Sequence, residues 1–172
     1  ANEAGEAITA MIQGGGVAYL RLDKTVAQDK DFVSSFAIGK ARRYKEGSDI
    51  TLIATGGILD DVNIAAVELE KLGIDARVLG MHSIKPIDID EIIDAVTNTG
   101  GIVTIEEHNK DGGLGSAVSE VCMDFGVMPK KFLRIGLENM YSSIVGSQQY
   151  LRSRYHMDSV AIIDRVKEIL KT

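Results

Sequence analysis

The sequence predicts an α/β fold: three layers built on a mostly parallel five-stranded sheet with one antiparallel edge strand. Two observations carry this. Ile50-Thr51-Leu52-Ile53-Ala54 and Ile102-Val103-Thr104-Ile105 are near-continuous apolar runs, as expected of strands covered on both faces. The order of strand then helical period repeats through the body of the chain. Such alternation makes parallel pairs joined by right-handed crossovers, with helices on both faces.

The elements follow in order. Residues 1–13 read as a helix with Ala4, Ala7, Ile8, Met11 and Ile12 on one face, stopped by Gly14-Gly15-Gly16. Residues 17–22 read as a short strand, and 23–35 as a polar linker. A helix and one strand cannot bury their own apolar face. Residues 1–22 are therefore the tail of something larger, or they dock on a partner. The main body begins near Phe36. Residues 36–44 alternate as an edge strand should, and Glu46-Gly47-Ser48-Asp49 is a turn. After strand 50–54 and Gly56-Gly57, a helix to Leu72 turns Val62, Ala65, Ala66, Leu69 and Leu72 inward, with Gly73 at its C-terminal cap. Strand 76–81 follows. Pro86 marks a turn, and Asp88 with Glu91 forms a capping box for a helix to about residue 97. Gly100-Gly101 leads into strand 102–105. Helix 114–125, strand 132–136 and helices 148–155 and 158–170 complete the chain, with Asp158 capping the last. No repeat or low-complexity segment is present.

Composition narrows the function. The chain has 172 residues, 45% hydrophobic and 26% charged, which suits an ordinary globular protein. A net charge of −6 argues against nucleic acid, which needs a basic face to displace counterions. The absence of Trp also disfavours base-stacking platforms. Arg42, Arg43 and Lys45 are the densest basic cluster and read as a solvated surface. A single cysteine, Cys122, excludes an internal disulfide and lies on an apolar helical face, where a buried thiol is expected. No segment has the pattern of a signal peptide, and no apolar run approaches membrane-spanning length, so a cytoplasmic protein without membrane contact is expected.

Chemistry is sought first at Val103-Thr104-Ile105-Glu106-Glu107-His108, a strand ending in two carboxylates and an imidazole. Gly112-Gly113-Leu114-Gly115-Ser116 then opens a helix. The carboxyl end of a parallel strand is where ligands are met. Neighbouring strand residues face opposite ways, so at most Glu106 and His108 could converge, and two ligands do not make a metal site. A phosphate on the glycine-rich turn would be repelled by Glu106, Glu107 and Asp111. The better reading is a tight turn whose carboxylates accept backbone N–H bonds or meet a neighbouring subunit. His108 could be an acid–base group, a substrate contact or an interface residue. His82 and His156 read as structural or surface residues. Gly56-Gly57 lacks the acid that a dinucleotide site needs at the end of the next strand, which finishes Leu79-Gly80-Met81. Arg21 and Lys24 are cations at a strand exit and could hold a phosphate or carboxylate. No nucleophile elbow or Walker loop is present.

Three stretches resemble the C-terminal portion of a transketolase: residues 46–56, residues 72–88 with Met81-His82-Ser83-Ile84-Lys85-Pro86-Ile87-Asp88, and Thr104-Ile105-Glu106-Glu107-His108 with Gly112 to Val118. Arg134-Ile135-Gly136 fits a fourth. Residues 1–34 resemble the tail of the preceding pyrimidine-binding domain plus a linker, and 35–172 the transketolase C-terminal domain. The resemblance implies ketol transfer between sugar phosphates, within pentose phosphate metabolism. It implies thiamine diphosphate and a divalent metal in the complete enzyme, with none held by this chain alone. It implies that this piece is non-catalytic and serves dimer assembly, as a homodimer or beside an N-terminal transketolase subunit. It places the family's phosphate-contacting arginine on Lys24, where lysine keeps the charge but loses the bidentate fork, with Arg21 as a substitute. Glu106, Glu107 and His108 are then interface or substrate contacts. A deoxyxylulose-phosphate synthase, a 2-oxoacid dehydrogenase beta subunit and a free-standing assembly module remain alternatives.

Overall fold

Strands form where β-branched and aliphatic residues run together, and five of them pair. The computed structural model describes residues 2–23 and 36–171. Along these residues run α1 (Asn2–Gly14), β1 (Arg42–Lys45), β2 (Ile50–Thr55), α2 (Leu59–Lys71), β3 (Ala76–Gly80), α3 (Ile89–Asn98), β4 (Ile102–Asn109), α4 (Leu114–Asp124), β5 (Phe132–Leu137), α5 (Gln148–Arg154) and α6 (Ser159–Lys171). The sheet order is β1-β3-β2-β4-β5. β1 runs antiparallel to β3, and the other pairs are parallel. The expected five-stranded sheet with one antiparallel edge is therefore present.

The pleat divides the core. Leu52, Ala54, Val78, Val103 and Ile105 face α2 and α6, packing on Val62, Ala65, Leu69, Ile162 and Val166. Ile53, Leu79 and Ile102 face the other way, onto Ile92 and Ala95 of α3 and Leu114, Val118, Val121 and Cys122 of α4. These are the three layers, and period-two alternation produces them directly. Cys122 is buried as expected, and burial raises its thiol pKa.

Local signals explain the element ends. The Asp88 carboxylate accepts from the Glu91 N–H and caps α3. Gly47 lies so close to β3 that a Cβ there would stand 2.4 Å from the Ala76 carbonyl carbon. At the amino-terminal end of the sheet, two buried hydroxyls meet: Thr51 Oγ1 and Thr99 Oγ1 are 3.0 Å apart, and Thr99 also donates toward the Ala95 and Gly101 carbonyls.

Four expectations need correction. Leu72 does not face inward: it caps α2 just past its last turn and is exposed. Residues 17–22 are not a strand: no described strand pairs with them, and Val17, Tyr19 and Leu22 are exposed. A short run of strand-forming residues does not make a strand without a neighbour to bond. The edge strand predicted over 36–44 is confined to Arg42–Lys45. Arg42 is not a solvated surface residue. Its side chain is buried, 2.8 Å from Glu6 Oε2 and 3.4 Å from Glu3 Oε1 of α1, and its guanidinium lies over the Phe36 ring. Arg43 does remain near the surface, tied to Glu46, Glu91 and Asp94.

Candidate functional site at the carboxyl end of β4

β2 and β4 are neighbours whose following helices, α2 and α4, lie on opposite faces. Open α/β sheets meet their ligands outside the strand ends at such a point. β4 delivers Glu106, Glu107 and His108 there, and its pairing with β5 loses register between Ile105 and Asn109.

Glu106 is buried, and its two oxygens accept from the Leu114 N–H at 2.7 Å and the Gly115 N–H at 2.9 Å. A carboxylate thus sits on the first turn of α4, where orphan amides and the helix dipole favour negative charge. The glycines make room for it. A Cβ at Gly113 would come within 2.0 Å of Glu106 Oε2, and one at Gly115 within 2.6 Å of Thr104 Oγ1. The reading of a tight turn whose carboxylate accepts backbone N–H bonds is borne out at Glu106.

Glu107 faces the other way. Arg152 Nε and Nη2 grip its carboxylate from 2.9 and 2.7 Å, and Gln148 Nε2 lies 3.0 Å from it. The third face of the same guanidinium meets Asp61 at 2.9 Å, and Asp61 also accepts from the Ser159 N–H. Arg152 is buried between two carboxylates. Burial alone would lower its pKa, but the Glu107 and Asp61 contacts outweigh that and hold it above the ordinary value. Neither Asp61 nor Arg152 carries a sequence signal for this role. Glu107 and Arg152 lie 45 positions apart and meet only through the fold.

His108 is half-exposed. Its Nδ1 lies 2.8 Å from the Asn109 carbonyl, which can only accept, so Nδ1 is the donor and Nε2 is the ring nitrogen left over. The Glu106 carboxylate lies 3.9 Å from Nδ1, so the two share a strand face. Arg21 is exposed on a stretch without regular structure. Asp23, two residues on, lies within 3.3 Å of Gln148 Nε2, which brings that stretch beside Glu107. Lys24 lies outside the described residues. His82 is stacked on Phe36 with ring centroids 4.2 Å apart, and His156 is exposed where α5 ends.

The site does not fit a thiamine diphosphate or its metal. The amides that would cradle a phosphate at α4 are already taken by Glu106. Among the described residues, no three His, Cys, Asp or Glu side chains cluster to hold a metal ion.

The family model for the transketolase C-terminal domain matches residues 39–162. This chain belongs to the transketolase C-terminal domain family. Among curated relatives, a 6-deoxy-6-sulfo-D-fructose transketolase subunit of Clostridium sp. (strain MSTE9) is 33% identical over 155 residues, covering 90% of this chain and 47% of its own length. A 1-deoxy-D-xylulose-5-phosphate synthase of Syntrophotalea carbinolica is 34% identical over 140 residues, covering 81% of this chain and 22% of its own. A solved split-gene transketolase, described as an inactive beta4 tetramer, superposes with a TM-score of 0.72 at 33% identity, over 80% of this chain and 44% of that one. The transketolase C-terminal domain chain thus spans about half the length of the transketolase subunit it matches. No helix among the described residues is long and apolar enough to cross a membrane.

Proposed function

We propose that this chain is the C-terminal part of a cytoplasmic transketolase that moves a two-carbon ketol unit between sugar phosphates. Its own contribution is assembly, with a second copy or with an N-terminal transketolase subunit. Residues 1–34 belong to the tail of the preceding domain and its linker, and 35–172 to the C-terminal domain. Thiamine diphosphate and its divalent metal are then held by the other half. Lys24 and Arg21 grip substrate phosphate from the tail. His108, beside the internally bonded Glu106 and Glu107, is left for a neighbouring chain or the substrate.

The end of β4 supports this reading. The carboxylates placed where a ligand would be met are both bonded within the chain, to α4 amides and to Arg152. What the strand end offers outward is the half-exposed His108.

Calorimetry of the isolated chain with thiamine diphosphate tests the assignment of the cofactor to the other half. No heat of binding is expected, and a micromolar signal would overturn the reading. In the complete enzyme, Lys24→Ala should raise KM for phosphorylated donors while leaving non-phosphorylated donors little changed. Equal effects on both would remove Lys24 from the site. A second reading, a deoxyxylulose-phosphate synthase, is favoured by the similarity to such a synthase over most of this chain. Product analysis with sugar phosphates against pyruvate separates the two.

A further inference from the structure

The outward face of α2 has no partner among the described elements, although its inward face is fully used. Val62, Ala65, Ala66 and Leu69 are buried in the core. Directly opposite run Asp60, Ile64, Val67 and Lys71, spaced four, three and four residues apart, which keeps them on one helical stripe. At the centre of the stripe, Ile64 is 53% and Val67 50% exposed. Asn63 and Glu68 flank them on either side. The ends carry opposite charges, Asp60 in the first turn and Lys71 in the last.

This order is self-complementary. A two-fold axis between Ala65 and Ala66 lays one α2 antiparallel on another. It sets Ile64 against Val67, Asp60 against Lys71 and Asn63 against Glu68, each pair occurring twice. A contact of this kind, the same patch on both partners, is what a closed dimer requires. Asp60 and Lys71 are about 16 Å apart along the helix at 1.5 Å per residue, so both ends of the apolar centre are bracketed by opposite charges. Lys71 already holds Glu68 of its own helix at 2.7 Å. Asp60 forms no ion pair among the described residues, so it is available to that ammonium group from a second copy.

We propose that α2 is a self-association surface and that its occupant is the α2 of a second copy of this chain. The proposal deepens the assembly part of the functional reading and names the residues that carry it. One helix pair buries less than the roughly 1,200 Å² of a standard interface. The contact is therefore a weak one, with Kd on the order of 100 μM, and adds to whatever other contacts assemble the enzyme.

Sedimentation velocity of the full chain, from about 10 μM to 1 mM, reads the association. The wild type should shift from monomer toward dimer. Ile64→Ser with Val67→Ser should stay monomeric at every concentration. Asp60→Lys and Lys71→Asp should each weaken association by about tenfold, because each places like charges at both ends. The double variant Asp60→Lys with Lys71→Asp should return to within about threefold of wild type. Circular dichroism and Tm show that each variant is folded. A wild type that stays monomeric means that solvent or a different protein covers this face, and overturns the proposal. So does a dimer indifferent to Ile64 and Val67, or a double variant no better than the singles. The functional reading fails separately, through cofactor binding by the isolated chain.

Discussion

Glu106→Ala should destabilise the fold by about 3–6 kcal/mol. Two backbone amides, of Leu114 and Gly115, donate to this buried carboxylate. A hydrogen bond to a charged group contributes about 1.5–3 kcal/mol, and water does not readily replace a partner at a buried site. The loss is large beside a typical total of about 5–15 kcal/mol. It should appear in urea titration as a lower midpoint with little change in slope, and as a fall in Tm of roughly 6–24 °C at this chain length. The variant also leaves a carboxylate-sized vacancy at two amides, so formate should partly restore it. At ten times its Kd, formate would return about 1.4 kcal/mol by mass action. The wild type, whose seat is filled, should not respond. A loss under about 1 kcal/mol, or an equal response of both proteins to formate, would refute the argument that Glu106 is the structural anion of α4.

Arg152→Ala should cost about 3–5 kcal/mol, measured by chemical denaturation, because it leaves buried Asp61 and half-buried Glu107 facing each other without a cation; Arg152→Ala with Asp61→Leu should recover part of that loss. Burial, and then the nearby Arg42, lower the pKa of His82 from its usual value near 6.5, while Glu6 of α1 and Asp88 partly oppose them. The unfolded chain therefore binds this proton more readily than the folded one, so stability is full above about pH 6.5 and falls as pH drops from there through the folded value. His82→Gln should flatten that part of a Tm–pH profile. Gly47→Ala should lower the unfolding free energy measured by urea denaturation by about 1–3 kcal/mol, since its Cβ would meet the β3 backbone.

The sheet was legible because its central strands are apolar on both faces: Ile50 to Ala54 and Ile102 to Ile105 can be strands only where helices cover both sides. The α3 start was legible because Asp88 and Glu91 are a local signal read within four residues. Glu106 was legible as a carboxylate near a glycine turn, and its acceptor role followed from that closeness. Glu107 was not: its partners Arg152 and Gln148 come from α5, and Asp61 from α2, and nothing local links the three segments. Arg42 misled for the same reason. A cation in a basic triplet looks solvated, and only the placement of α1 beside β1 reveals the two glutamates that hold it. Residues 17–22 misled in the opposite direction, because residue type states what a segment could become and not whether a neighbouring strand is there to pair with it.

The threonine pair at the foot of β2 and β4 has a consequence for how this architecture varies. Thr51 and Thr99 commit their hydroxyls to each other and to two carbonyls, and both residues are buried. Sliding β4 by one position against β2 would turn its side chains to the wrong layer, and the shift would also strip partners from these hydroxyls. The alignment of the sheet is thus locked at its base. At the opposite rim the pairing of β4 with β5 is broken, and the half-exposed His108 there belongs to neither core layer. A family that keeps one end fixed can change what the other end touches.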